Sequence, residues 1–494
     1  MSYRRRKTVN SAVEKLLPDN AYWKYFLKIC SIPHPSGHEE KLRDFLAAEA
    51  VKHGLQYRVD QAGNLAIERP AASGCEDFPQ IILQAHLDMV PQAAPGVEFD
   101  FLRESIVPVV EGDWVTTGNR TTLGADDGMG VALIMEVLTD DTLKCGALRG
   151  VFTVSEETGL GGAEDIEPDF LAGDILFNLD SDVVFTIGCA GGSRFEGKKE
   201  LESKAPGGNL ALKLTIRGMQ GGHSGVDIHR QVGSAAVEIR NLLSAVENME
   251  LASVRAGTLH NAIARDAEAV IVINNKEFEK LEDIVKAFAE ELRGKFLPAE
   301  NSIITVQAET LAFMPEKVLT AGSQAMLLDV WNKLPHGVLA VNPDNSTETS
   351  SNLAVVSGSA GTEWSFILLV RSLYDKKRID ITEKALTLLR ENGFAAGVDS
   401  QYTSWEPQWE SPLLEHACNI YKSITGKTAE RFVIHGGLEP GMFCGINPKL
   451  EMLSFAPTTQ SVHSPQEKLS ISDSENTRKI LRKLLENPRS SCIL

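Results

Sequence analysis

Apolar positions along the chain follow two rhythms that exchange places at short intervals. In "PSGHEEKLRDFLAAEAVKHG" they recur at helical spacing before a glycine stop, which predicts a helix with Ser36 and Glu39 in capping-box positions. Short apolar runs, "NLAIER", "IILQAHLDMV", "LRGVFTVSE" and "DILFNLD", then alternate with helical stretches such as "GMGVALIMEVLTD". Strands alternating with helices predict an α/β sheet, mainly parallel at its centre, with helices on both faces.

The pattern changes at the glycine-rich "IGCAGGSRFEGKK". Beyond it, "ALKLTIRG", "AEAVIVIN", "IITVQAE" and "WSFILLVRS" read as strands, and "VGSAAVEIRNLLSAVEN", "KLEDIVKAFAEELRGKF" and "TEKALTLLRENG" as helices. Strands with a few helices on one side predict an inserted α+β domain. "SWEPQWESP" reads as the return linker and "LLEHACNIYKSITG" as the next helix. The expected boundaries are residues 1–190 and 406–494 for the first domain and 191–405 for the insert.

Composition narrows the possibilities. The chain of 494 residues exceeds what one core usually organises. Its 43% hydrophobic and 23% charged content is that of an ordinary globular protein. A net charge of -18 argues against nucleic acid and anionic membranes as partners. The basic start "MSYRRRKTVN" is not followed by an apolar signal core, and no transmembrane run is present. Seven cysteines without a C-x-x-C fit reduced thiols, so a cytoplasmic protein is expected.

The candidate chemistry is acidic. His86 and Asp88 point to one face at the end of a predicted strand, where Asp88 could simply fix the imidazole tautomer. Four further stretches, "TTLGADDGMG", "TVSEETGLGG", "FNLDSD" and "SVHSPQEKL", are expected where the sheet's strands end, the usual ligand position in open α/β sheets. They contribute Asp126 and Asp127, Glu156 and Glu157, Asp180 and Asp182, and His463. Singly, each reads equally well as a turn or a helix cap. Together they would crowd carboxylates that cannot all stay ionised without a cation, and two histidines beside them point to a metal such as zinc, manganese or cobalt.

As an ordered set, "HLDMVP", "LGADDG", "SEETG", "LDSD", "GGHSG" and "HSPQEKL" resemble the dinuclear zinc exopeptidases, and most of all their aminoacyl-histidine (cytosol non-specific) dipeptidase branch. The likeness implies two divalent ions per subunit, zinc first and manganese or cobalt as alternatives. It makes Asp126 the bridging ligand, His86 and Asp180 ligands of one ion, Glu157 and His463 ligands of the other, and Glu156 the general base. Asp88 becomes the partner that orients His86. A cis Asp126–Asp127 peptide is also implied. In the insert, His223 becomes a substrate-contacting residue that reaches a partner subunit's site, which implies a homodimer formed through the inserted lid and dimerisation domain. Asn261 and Arg371 become candidates for a substrate carboxylate or carbonyl, and Glu439 for a free amine. One departure is visible: the branch reads "GLECG" where this chain has "GLEPG", with Pro440 in place of cysteine. The activity implied is a metal-dependent dipeptidase acting on unblocked dipeptides, Xaa-His and carnosine-like ones included. The alternatives are an N-acyl amino acid amidohydrolase on the same scaffold and a silent metal-binding scaffold protein.

Overall fold

The computed structural model describes Val13 and residues 17–181, 184–230 and 232–488. The basic N-terminal stretch and Asp182 lie outside these residues. The chain divides into two compact units. One takes the described residues up to Gly188, Pro407–Val433 and those from Leu438 on; the other takes Cys189–Glu406 and Ile434–Gly437. Among the described residues no helix is long and apolar enough to cross a membrane.

The first unit is built on an eight-stranded sheet in the order Gln56–Val59, Leu65–Arg69, Leu148–Thr153, Ile81–His86, Ile175–Asn178, Glu451–Ser454, Thr186–Cys189 and Phe432–Ile434. The four strands from Leu148–Thr153 to Glu451–Ser454 run parallel, with Ile81 opposite Leu148 on one side and Ile175 on the other. Successive side chains of a strand point to opposite faces, so a strand covered on both sides must be apolar at consecutive positions. Ile81, Leu83 and Ala85 join one core with the helices Ala21–Cys30, Ala125–Leu138 and Ile471–Glu486. Ile82 joins a second core with Phe170, Leu171 and Phe443 of the helix Glu439–Ile446. Gln84 and His86 point the same way as Ile82, and every residue of this strand is buried.

A small four-stranded sheet, Thr459–Gln460, Lys468–Ser470, Trp114–Thr116 and Val109–Glu111, belongs to the same unit. It alters the expected placement of two motifs. "SEETG" and "LDSD" do follow the parallel strands Leu148–Thr153 and Ile175–Asn178, but Asp126 begins a helix and His463 sits in the turn between Thr459–Gln460 and Lys468–Ser470. The capping box also does not form. The helix starts at Glu40 and Glu39 makes no side-chain cap; instead its Oε1 accepts from the N–H of Gly37 (2.8 Å) and of Ser155 (3.2 Å). The Ser36 hydroxyl serves Asp88.

The second unit is a nine-stranded sheet in which every recorded pair of strands is antiparallel. The helices Ala235–Ala245, Phe278–Lys295, Ala321–Lys333 and Asp375–Glu391 share one apolar core with it. Three of its strands, Glu250–Ala256, Thr347–Ser359 and Ala395–Tyr402, and the helix Ala321–Lys333 carry no clear apolar rhythm. The junction glycines turn out to open a ten-residue strand, Gly191–Glu200. A Cβ at Gly192 would lie 2.5 Å from the Tyr402 ring, so close packing demands glycine there.

Phe177 is fully buried on the strand leading to Asp180, with its ring 5.7 Å from that of Phe455. Phe177→Ala should cost about 3–5 kcal/mol in urea denaturation. Val51→Ala, at a position 62% exposed, should stay within about 0.5 kcal/mol.

Candidate active site

His86, Glu156, Glu157 and Asp180 lie at or just beyond the ends of parallel strands, and Asp126 and His463 join them from the head of a helix and from a turn. His86 terminates its strand and is 1% exposed; its Nε2 lies 3.0 Å from Asp126 Oδ1. The other Asp126 oxygen, Oδ2, lies 3.2 Å from His463 Nε2, which is also 2.9 Å from Glu157 Oε2. Asp126 thus presents one oxygen to each histidine. Asp180 completes one potential ligand group with His86 and Asp126, and Glu157 and His463 complete another with Asp126, the donor atoms of each group lying within 4.8 Å of one another. His86, Glu156 and Glu157 form a third group by the same measure, so spacing alone does not separate the two glutamates.

Backbone geometry aims these side chains. The Asp126–Asp127 peptide is cis, and Gly124 before it has φ +70°, a left-handed conformation suited to glycine. Asp127 turns inward, accepting from the N–H of His86 (3.2 Å) and of Gly130 (3.1 Å). Asp88 has two tasks. Its backbone carbonyl lies 2.9 Å from His86 Nδ1, leaving the carboxylate 3.5 Å from that nitrogen. The carboxylate accepts instead from the N–H of Glu156 (3.0 Å) and of Glu157 (3.2 Å), fixing the turn that carries both. His86 is therefore oriented chiefly by the main chain of Asp88.

The sequence of residues 82–487 matches the family described as peptidase family M20/M25/M40. The chain belongs to that family. It is 35% identical over 473 residues to the cytosol non-specific dipeptidase of Escherichia coli K12, covering 94% of this chain and 96% of that one. The crystal structure of aminoacylhistidine dipeptidase from Vibrio alginolyticus is similar with a TM-score of 0.86 and 33% identity, over 96% of this chain and 98% of the other. A tripeptidase from Staphylococcus aureus, at 15% identity and TM-score 0.56 over 95% of this chain and 98% of the other, shares the fold.

The charge balance of this M20/M25/M40 peptidase bears on what the cluster can hold. The three groups contain four carboxylates and two imidazoles, so with every carboxyl ionised two negative charges would stay unmatched even with both histidines protonated. Burial, together with the charges of Asp126, Glu439 and Glu157, raises the Asp180 carboxyl well above its usual range despite His86. Burial likewise raises Glu156, with Asp180, Glu439 and Glu157 adding to it against His86. Burial opposes protonation of His86, but the carboxylates of Asp126 and Asp88 override it and hold the imidazole well above its usual range. Hydrogen bonds to Asp126 and Glu157 lift His463 to about 10. Glu157 Oε1 is buried without a partner among the described residues. An unmatched negative charge, an orphaned carboxylate oxygen and mixed imidazole and carboxylate donors fit divalent ions of the zinc, manganese or cobalt type.

His223, Asn261 and Arg371 belong to the second unit. There Gly222–His223 pairs with Ala262–Ile263, and the Asn261 carbonyl accepts from the Ser224 N–H at 2.8 Å. Arg371 is 5% exposed, and its Nη1 donates to the Tyr402 hydroxyl at 2.5 Å. Glu439 is fully buried, with Gln84 Nε2 2.5 Å from its Oε2 and its Oε1 without a partner among the described residues. Pro440, buried in the first turn of the same helix, occupies a position where its missing N–H is not needed. A buried polar chain runs on from Glu439: the Gln84 Nε2 also donates to Thr153 Oγ1 at 3.1 Å, Asn178 Nδ2 donates to Gln84 Oε1 at 2.6 Å, and Ser454 hydrogen-bonds to Asn178 and to the Asp180 carbonyl. The lone glutamine in the apolar run "IILQAH" is the one sequence signal of this network.

Burial pushes the Glu439 carboxyl up to about 7 against its ordinary 4.5. It then stays neutral in the fold at pH values where the unfolded chain ionises it, so its contribution to stability declines as pH rises from 4.5 through 7. In chelated protein this group should account for a loss on the order of 3 kcal/mol between pH 4.5 and 8. Urea denaturation across that range should show a shallower decline for Glu439→Gln than for the parent, and equal slopes would assign the effect to other groups.

Proposed function

We propose that the chain is a metal-dependent dipeptidase of the cytoplasm, hydrolysing unblocked dipeptides. The observation that carries this reading is Asp126, set between two histidine-containing donor groups in a chain that aligns end to end with a cytosol non-specific dipeptidase. His86, Asp126 and Asp180 would hold one divalent ion, and Asp126, Glu157 and His463 a second. Ions bound there would supply Lewis acidity toward a water and the scissile carbonyl.

The chain's own groups move protons and hold the substrate. Glu156 takes the proton of the attacking water and returns it to the leaving amine. Glu157 is kept as a ligand in this reading because its Oε2 faces His463. His223 Nδ1 accepts from the N–H of Gly225 (3.2 Å) and of Val226 (3.3 Å), so the neutral ring carries its proton on Nε2 as a donor for the developing oxyanion. Burial and Arg371 both favour that neutral form. Arg371 is buried, has an unpaired Nε and meets no carboxylate among its described hydrogen bonds and ion pairs, which suits it to the substrate carboxylate together with Asn261.

The reading includes a homodimer formed through the second unit, with His223 serving the partner's site. Val338, Leu339 and Val341, exposed along the strand Gly337–Val341, offer an apolar surface for it.

Chelation should abolish dipeptide hydrolysis, and zinc, manganese or cobalt should restore it, while an N-acetylated dipeptide should resist cleavage. Full activity of exhaustively metal-free protein would overturn the reading, and preference for the N-acetylated substrate would favour the amidohydrolase. Glu156→Gln should lower kcat roughly 10²-fold or more with metal content unchanged. A Glu156→Gln protein that lost its metal while Glu157→Gln kept it would reverse the two glutamates.

His223→Ala should lower kcat about 10²-fold, the scale for one oxyanion donor. Mixing it with Glu156→Gln should regenerate activity, because each mixed dimer then holds one intact site. No recovery despite demonstrated subunit exchange would place His223 outside the partner's chemistry.

A further inference from the structure

The segment that delivers Asp126 is held by one distant side chain. Glu467 Oε2 accepts from the N–H of Leu123 (2.7 Å) and Gly124 (3.1 Å), and its Oε1 from the N–H of Ala125 (2.8 Å) and, more weakly, Asp126 (3.4 Å). A helix begins with N–H groups that lack intrahelical partners, and a local Ser, Thr, Asp or Asn usually takes one of them. Asp126 and Asp127 are not helical, so the regular helix starts beyond them with Asp127 Oδ1 accepting from the N–H of Gly130 as its local cap, and the N–H groups of Leu123 to Asp126 belong to the segment ahead of it. Glu467, 2% exposed, takes those N–H groups from more than 300 residues along the chain.

Glu467 lies four residues after His463, in the segment between the strands Thr459–Gln460 and Lys468–Ser470. The same short segment therefore supplies an imidazole to one oxygen of Asp126 and a clamp to the backbone that carries Asp126. We infer that Glu467 is a positioning residue, which locks the Leu123–Asp126 segment so that the Asp126 carboxylate stays aimed at both His86 and His463. It touches neither substrate nor ion; it fixes the register between the two donor groups. The inference rests on the reading of Asp126 as a shared ligand.

The test is titration of metal-free full-length protein with Mn²⁺, followed by calorimetry well below the melting temperature, with circular dichroism confirming the fold. Glu467→Gln keeps the size of the side chain but turns an amide NH₂ toward backbone donors. It should weaken Mn²⁺ binding at least 10-fold, and Glu467→Ala should weaken it further. A merely structural contact would lower the melting temperature and leave the Mn²⁺ constant alone. Parent-like affinity in folded Glu467→Gln overturns the inference, and this variant decides the matter if Glu467→Ala does not fold. Asp126→Asn runs beside them: loss of Mn²⁺ there with none in the Glu467 variants removes the clamp and keeps the ligand. Unchanged affinity in Asp126→Asn removes both.

Discussion

The constraint on which this structure turns is the cost of confining carboxylates in a small, poorly hydrated volume. Asp126, Glu156, Glu157 and Asp180 share that volume with two imidazoles, which cannot balance them. The surrounding groups answer in a consistent way. Asp88 is held by the main-chain N–H groups of Glu156 and Glu157, Asp127 by those of His86 and Gly130, and Glu467 by those of Leu123 to Asp126. Glu439 is held by a side-chain amide. Apart from the His86 ring 3.5 Å from Asp88, these partners are neutral dipoles. They fix position without cancelling charge, so the attraction for a divalent cation remains, whereas an arginine in their place would compete with it.

The second unit shows the opposite imbalance. Arg371 is buried beside Tyr402 with its Nε unpaired. Burial and then Arg371 lower the basicity of His223 and of His435, the latter to about 3. For His260, burial and Arg194 act ahead of Arg371 in the same direction. A buried guanidinium without a carboxylate partner is as expensive as a carboxylate without a cation, and a visiting anion relieves it.

Much of the first unit was legible in the chain because its parallel strands are apolar at consecutive positions and its acidic motifs are short and local. "IILQAH" identifies its strand and "SEETG" its turn without reference to anything distant. Legibility ended where partners are remote or belong to the main chain. Thr347–Ser359 begins "TETSSN", polar enough to pass for a loop, yet its first eight residues are all buried between neighbouring strands. Nothing local to "HSPQEKL" shows that its glutamate accepts from a main-chain N–H 342 residues earlier. The Ser36–Glu39 spacing predicted a cap that tertiary contacts overrode, Glu39 going to Ser155 and Ser36 to Asp88. Glu439, with a proline and a glycine following it, gave no sign of its complete burial.

The strand Glu451–Ser454 lies parallel to Ile175–Asn178, with Ser454 opposite Asn178, 276 positions earlier. The whole of the second unit lies between them in sequence. Closing a loop of that length in an unfolded chain has an entropic cost that grows only slowly with length, but the search for the correct register is slow when contacts are so far apart. An intervening segment that collapses around its own core shortens the effective tether before the two strands meet. This connectivity favours a route in which the inserted unit matures before the last central strand docks beside Asp180.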